Sequence, residues 1–138
     1  KKMVIERLKK VAPHAEKQGV TLGIESYLSA AEHLEIIDAV GSNAVKVYYD
    51  FRNSADAGHD IYAEIPLLGK DMICELHMKE NGQRLGEGTL DWPRIAKLID
   101  QSGYKGWMQI EGARPIGVDI VQCYQYNRQY LEGLFKFS

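Results

Sequence analysis

The chain has little of what marks several protein classes. Its 138 residues include only two cysteines, Cys74 and Cys123, far apart and outside any CxxC pair. This argues against a disulfide framework and against a cysteine-held zinc, and it fits a reducing, cytoplasmic setting. No apolar run approaches the ~20 residues that cross a bilayer, so no membrane role is expected. The opening segment KKMVIERLKK lacks the hydrophobic stretch of a signal peptide. Neither charge sign dominates: 17 Lys and Arg face 19 Asp and Glu, for a net charge of −2. That balance gives no electrostatic case for nucleic acid. No linker, low-complexity stretch or charge run divides the chain, and its 45% hydrophobic content argues against disorder.

What is present is an alternation of strand and helix patterns. Helical spacing covers about 3–18, with Pro13 expected to kink or break it and Gly19 to stop it. A short strand follows at 20–25. Ser29, with Glu32 three residues on, reads as a capping box for a helix to 40, closed by Gly41. AVKVYYD at 44–50 is a strand by its β-branched and aromatic content. FRNSADAG reads as a loop, 59–68 as a short helix closed by Gly69, and 72–77 as a third strand. After a loop at 78–90, Asp91 caps a helix with Pro93 in its first turn, ending near Gly103. A fourth strand at 106–110 runs into Glu111, and a last helix spans 118–135. His14 and His33 fall on helices as structural or solvated residues, and His59 reads as a cap or surface residue. Tyr124, Tyr126, Tyr130, Phe135 and Phe137 read as a packing face.

Strands alternating with helices imply parallel β/α units. Four such units of about 25–30 residues predict an α/β fold equal to half of a (β/α)8 barrel. Side chains alternate across a strand, and here one phase is apolar in every strand: Val20, Leu22, Ile24; Val45, Val47, Tyr49; Met72, Cys74, Leu76; Met108, Ile110. The other phase is mostly polar: Thr21, Gly23, Glu25; Lys46, Tyr48, Asp50; Ile73, Glu75, His77; Trp107, Gln109, Glu111. A doubly wound sheet would be apolar on both faces, so a polar phase turned toward a barrel interior fits better. Lys46 and Glu75 are expected to pair there.

Each polar phase ends on a residue with metal-ligand chemistry: Glu25, Asp50, His77 and Glu111. Barrel active sites lie at that rim. Three carboxylates converging with one imidazole predict one divalent cation, Mn²⁺ or Mg²⁺ by preference, with Zn²⁺ or Co²⁺ possible. Such a site suits polarisation of a sugar carbonyl with carboxylates moving a proton beside it.

The segments GVTLGIES, VKVYYDFRNSADAGHDI and ICELHMKE with RLGEGTLDWPRIAKLIDQSGYKGWMQIEG together resemble the sugar phosphate isomerase/epimerase superfamily, the xylose isomerase-like TIM barrels. The resemblance covers nearly the whole chain and matches the C-terminal half of such a barrel. It implies a metal-dependent sugar or sugar-phosphate isomerase or epimerase, with an inosose-type dehydratase or lyase, or a catalytically incomplete metal-binding half-barrel, as alternatives. It also implies that Glu25, Asp50, His77 and Glu111 hold the metal and that Glu25 and Glu111 act as the acid/base pair. Asn53, Lys79 and Arg84 become candidate substrate contacts. The chain departs from the family at Asn53, where many relatives carry His, at Arg52, where many carry Gly, and at Ala31, where 3-epimerases carry a substrate-binding Glu. An expected partner is a small sugar or polyol. Residues 1–138 then form a single partial domain. The Lys at position 1 and the missing first half favour a fragment of a roughly 250-residue enzyme that lacks its N-terminal half-barrel; two copies completing a barrel-like structure, or a half that folds alone with an altered sheet, are the alternatives.

Overall fold

A computed structural model describes residues 1–135; Phe137 lies outside them. The elements run α1 (Lys2–Gln18), β1 (Leu22–Ile24), α2 (Ala30–Val40), β2 (Val45–Asp50), α3 (Phe51–Asp56), α4 (Ile61–Met72), β3 (Ile73–Lys79), α5 (Trp92–Ser102), β4 (Trp107–Glu111) and α6 (Ile120–Leu134). The four strands are parallel and lie in chain order β1-β2-β3-β4. Among the described residues no helix is long and apolar enough to cross a membrane.

Local signals set most boundaries. The Ser29 hydroxyl accepts from the Glu32 amide while the Glu32 carboxylate accepts from the Ser29 amide, completing the capping box. Asp91 caps α5, with Pro93 in its first turn. Gly19, Gly41 and Gly103 close their helices in the left-handed conformation.

Three expectations are corrected. Helix α1 runs through Pro13 without ending. Pro13 and Lys9, whose carbonyl loses its donor, both lie on the exposed side, where water can replace the bond. Gly69, at φ 61° and ψ 179°, ends the helical conformation after Leu68 as expected, and a last short turn of α4 follows it. FRNSADAG is not a loop: its first six residues form α3, because the Asp50 carboxylate accepts from the Asn53 amide at 2.8 Å. The β2–β3 register also slips, with Val47 opposite Ile73 but Tyr48 opposite Glu75. Cys74 is the extra residue of that bulge. Ile73 therefore joins the apolar face as a buried residue. The Cys74 sulfur turns to the other face, 3.0 Å from where a Cβ on Gly23 would sit. The slip also separates Lys46 from Glu75, and the Lys46 ammonium donates to the Asp71 carbonyl at 2.8 Å instead.

Beyond the bulge the alternation holds. Val45, Val47, Tyr49, Leu76 and Met78 are buried beneath the helices with Ile65, Trp92 and Ile95. Each such side chain contributes about 1.5–3 kcal/mol through burial. The opposite face is open, and Trp107 on it is 80% exposed. On α6, Tyr126 and Tyr130 stack with centroids 6.4 Å apart, and Phe135 packs against the core margin. His14 is exposed, and the His59 ring meets the Tyr27 carbonyl at 3.1 Å.

Three buried polar side chains fasten the segments around the strand ends. Glu64 of α4 accepts from the Ala30 amide at 2.6 Å, from the Tyr49 hydroxyl at 2.7 Å and from the Ser54 hydroxyl. Glu80, directly after β3, accepts from the Leu90 amide and the Trp92 indole, both at 3.1 Å. Asn127 of α6 accepts from the Leu85 amide at 2.9 Å and donates to the Ala113 carbonyl at 2.7 Å. The LGEG segment fits this arrangement. A side chain at Gly86 would collide with the Tyr130 ring, and one at Gly88 with the Glu80 carboxylate.

Replacing Gly88 by Ala should therefore cost about 1–3 kcal/mol through overpacking and loosen the loop between β3 and α5. Thermal unfolding, with hydrogen exchange over residues 81–91, checks both. A second expectation concerns the buried His33, whose ring contacts the Ser26 hydroxyl at 2.9 Å and the Ser29 carbonyl at 3.0 Å. Burial, outweighing the Ser29 contact, holds its pKa below the ordinary 6.5. The unfolded chain thus binds the proton more tightly. His33 contributes stability that is present above pH 6.5 and is lost as pH falls toward the lowered folded value. Denaturant unfolding on both sides of pH 6.5 should show a shallower acid loss for His33→Gln than for the unmodified chain.

Candidate metal centre

Four strands deliver four side chains to one end of the sheet. Asp50 ends β2, His77 stands opposite it in β3, Glu111 ends β4 and Glu25 follows β1. One potential ligand atom from each lies within 4.8 Å of all the others. The imidazole is the hub. Its Nδ1 lies 3.4 Å from Glu25 Oε1, 3.6 Å from Asp50 Oδ2 and 3.6 Å from Glu111 Oε2. Beneath it the Tyr48 ring packs at 4.2 Å between centroids, and the Tyr48 hydroxyl donates to Gln109 at 2.9 Å. Burial, reinforced by Glu75 and the site carboxylates, pushes the Tyr48 phenol far above its ordinary range, so it stays a neutral floor.

The donor set suits a divalent cation. Asp50 Oδ2, His77 Nδ1 and Glu111 Oε2 are buried and make no directed hydrogen bond, an arrangement that is costly unless something is bound there. Asp50 is divided between two tasks, with Oδ1 capping α3 and Oδ2 facing the cluster. Burial raises its pKa, against the opposing pull of the Asn53 amide and Lys79. A dication would offset the mutual repulsion of the three carboxylates, which Lys79 offsets only in part. One nitrogen among three oxygens is a donor set that could hold a metal ion.

Lys79 and Asn53 join the cluster directly. Lys79 Nζ lies 2.9 Å from Glu111 Oε2, 3.4 Å from Asp50 Oδ2 and 3.3 Å from Asn53 Oδ1. Contact with Lys79 holds the Glu111 carboxyl below its ordinary pKa despite partial burial. Burial alone would lower the Lys79 pKa, but the Glu111 and Asp50 carboxylates outweigh it and raise it. Asn53 also donates to Glu25 Oε1 at 3.2 Å, so it bridges Glu25 and Lys79. Arg84 is not brought into this group. Its guanidinium donates to Glu87 at 2.9 and 2.6 Å and lies 4.2 Å from the Tyr126 ring centroid. Arg52 likewise faces Asp56, Thr89 and Glu80 rather than the ligands.

Sequence reading missed Tyr48 as the floor, and Glu64, Glu80 and Asn127 as the supports. Glu64 had a signal, since it interrupts the apolar run IYAEIPLL. Glu80 and Asn127 had none beyond polar residues at ordinary positions.

Solved structures share this fold at low identity. A structure of L-ribulose 3-epimerase superposes with a TM-score of 0.86 at 22% identity, matching 94% of this chain and 52% of that one. A 3-keto-D-glucoside 4-epimerase from E. coli gives 0.79 at 20%, matching 96% and 52%. The inosose dehydratase of Erwinia tasmaniensis is 22% identical over 139 residues, covering 80% of this chain and 47% of that protein. The chain thus spans about half the length of these relatives. The family described as the xylose isomerase-like TIM barrel matches residues 1–133. Four parallel strands in chain order, with the candidate ligands at their ends, agree with that match, and the chain belongs to the xylose isomerase-like TIM barrel family.

Proposed function

We propose that the chain carries the metal-binding half of a sugar isomerase or epimerase that moves a proton beside a carbonyl. The convergence of Glu25, Asp50, His77 and Glu111 within 4.8 Å carries this reading. The similarity to L-ribulose 3-epimerase and to 3-keto-D-glucoside 4-epimerase supports a sugar or polyol substrate. A divalent cation held by these residues would polarise the carbonyl and stabilise negative charge on its oxygen. Glu25 and Glu111 come from the two outer strands of the sheet and approach from opposite sides. One removes the proton from the carbon beside the carbonyl, and the other returns a proton. Asn53 orients Glu25, and Asn53 and Lys79 offer contacts to substrate hydroxyls, while Arg84 would reach substrate only by leaving Glu87.

Residues 1–138 form one partial domain in this reading, and four further β/α units complete the barrel. The outer edges of β1 and β4 have no strand partner among the described residues. Beside β4, Ile110, Ile120, Val121 and Tyr124 line an open apolar cleft of about 480 Å³, suited to the next helix. A dehydratase acting on the same kind of substrate is the second reading, favoured by the match to inosose dehydratase.

A panel of ketoses and inososes offered in D₂O to the completed barrel tests the proposal. Deuterium should enter beside the carbonyl, with epimer or isomer formed, whereas loss of water identifies the dehydratase. Glu111→Gln should lower exchange by at least about a hundredfold with an unchanged circular dichroism spectrum. Near-normal exchange in that variant would remove Glu111 from the mechanism.

A further inference from the structure

Among the described residues Lys79 is the only cation inside the cluster of proposed ligands, and its position conflicts with a simple supporting role. Its ammonium lies on the ligand side of the site, 2.9 Å from Glu111 Oε2 and 3.4 Å from Asp50 Oδ2. Within this cluster, three buried atoms make no directed hydrogen bond: these two oxygens and His77 Nδ1. A dication bound by the four residues needs the same two oxygens. Two positive charges cannot share them at contact distance without repulsion, because these two oxygens are themselves buried from water. Lys79 also has a place to withdraw to, since Asn53 Oδ1 already accepts from it at 3.3 Å.

We propose that Lys79 is a built-in competitor for the divalent cation, neutralising Asp50 and Glu111 until the cation displaces its ammonium toward Asn53. The inference rests on the reading of Glu25, Asp50, His77 and Glu111 as cation ligands. It has two consequences of opposite sign. Removing the ammonium leaves the converging carboxylates unopposed, so the metal-stripped protein loses stability. The same removal frees the two oxygens and deletes a repulsive charge, so the cation binds more tightly. A lysine that only braced the strand ends would lower stability and affinity together.

The test is Mn²⁺ titration of the chelator-stripped chain, by calorimetry and by loss of the free-ion resonance signal, with melting temperatures recorded with and without Mn²⁺. Lys79→Met should melt lower than the unmodified chain when stripped, bind Mn²⁺ about tenfold more tightly, and show a larger Mn²⁺-induced rise in melting temperature. Lys79→Gln, which keeps a polar contact for Asn53, should behave the same way and serves if Lys79→Met does not fold. Lys79→Arg, which keeps the charge, should show no gain in affinity. Equal or weaker Mn²⁺ binding by the neutral variants, with the unmodified chain still binding, overturns the competitor role and leaves the metal site standing. If no protein binds Mn²⁺, the metal site and the competitor role fall together.

Discussion

Mutual repulsion of carboxylates at one end of a parallel sheet is the constraint on which the rest of this structure depends. Glu25, Asp50 and Glu111 are brought together by strand pairing, and their charge must be offset where water cannot fully do it. Lys79 offsets part of that charge. His77, held against Tyr48, places a ring nitrogen at the centre of the group. The fold places these side chains through the register Asp50 opposite His77 and Lys79 opposite Glu111.

A second tier of buried polar groups keeps that arrangement in place. Asp50 is fixed through its cap on α3, and α3 is fixed through Ser54 and Glu64. Glu64 gathers donors from α2, β2 and α3 at one carboxylate, so a shift of any of these elements would leave a buried acceptor short of partners. Glu80 and Asn127 do the same for the long loop between β3 and α5. The loop is therefore a fastened rim in which Glu87 and Tyr126 engage Arg84.

The architecture and the four candidate ligands were legible in the sequence because strand alternation is strictly periodic toward the carboxyl ends of β2, β3 and β4. The bulge at Cys74 was not legible, since an extra residue in one strand leaves no mark on composition. It moved Ile73 and Cys74 to the faces opposite those expected and separated Lys46 from Glu75. Helix α3 was hidden for a related reason. FRNSADAG has loop-like composition, and its helical form depends on the Asp50 cap, a residue the pattern had already assigned to the site. Lys79 was visible as a residue in phase with His77. Its ion pair with Glu111 became clear only with β4 beside β3.

In the proposed function one divalent cation sits among the strand-end side chains Glu25, Asp50, His77 and Glu111. The most direct measurement is the stoichiometry of Mn²⁺ bound to the stripped chain, compared with that of His77→Ala, which removes the hub nitrogen. The account predicts one ion per chain, lost in the variant while its secondary structure is retained. Unchanged Mn²⁺ binding by folded His77→Ala would contradict it.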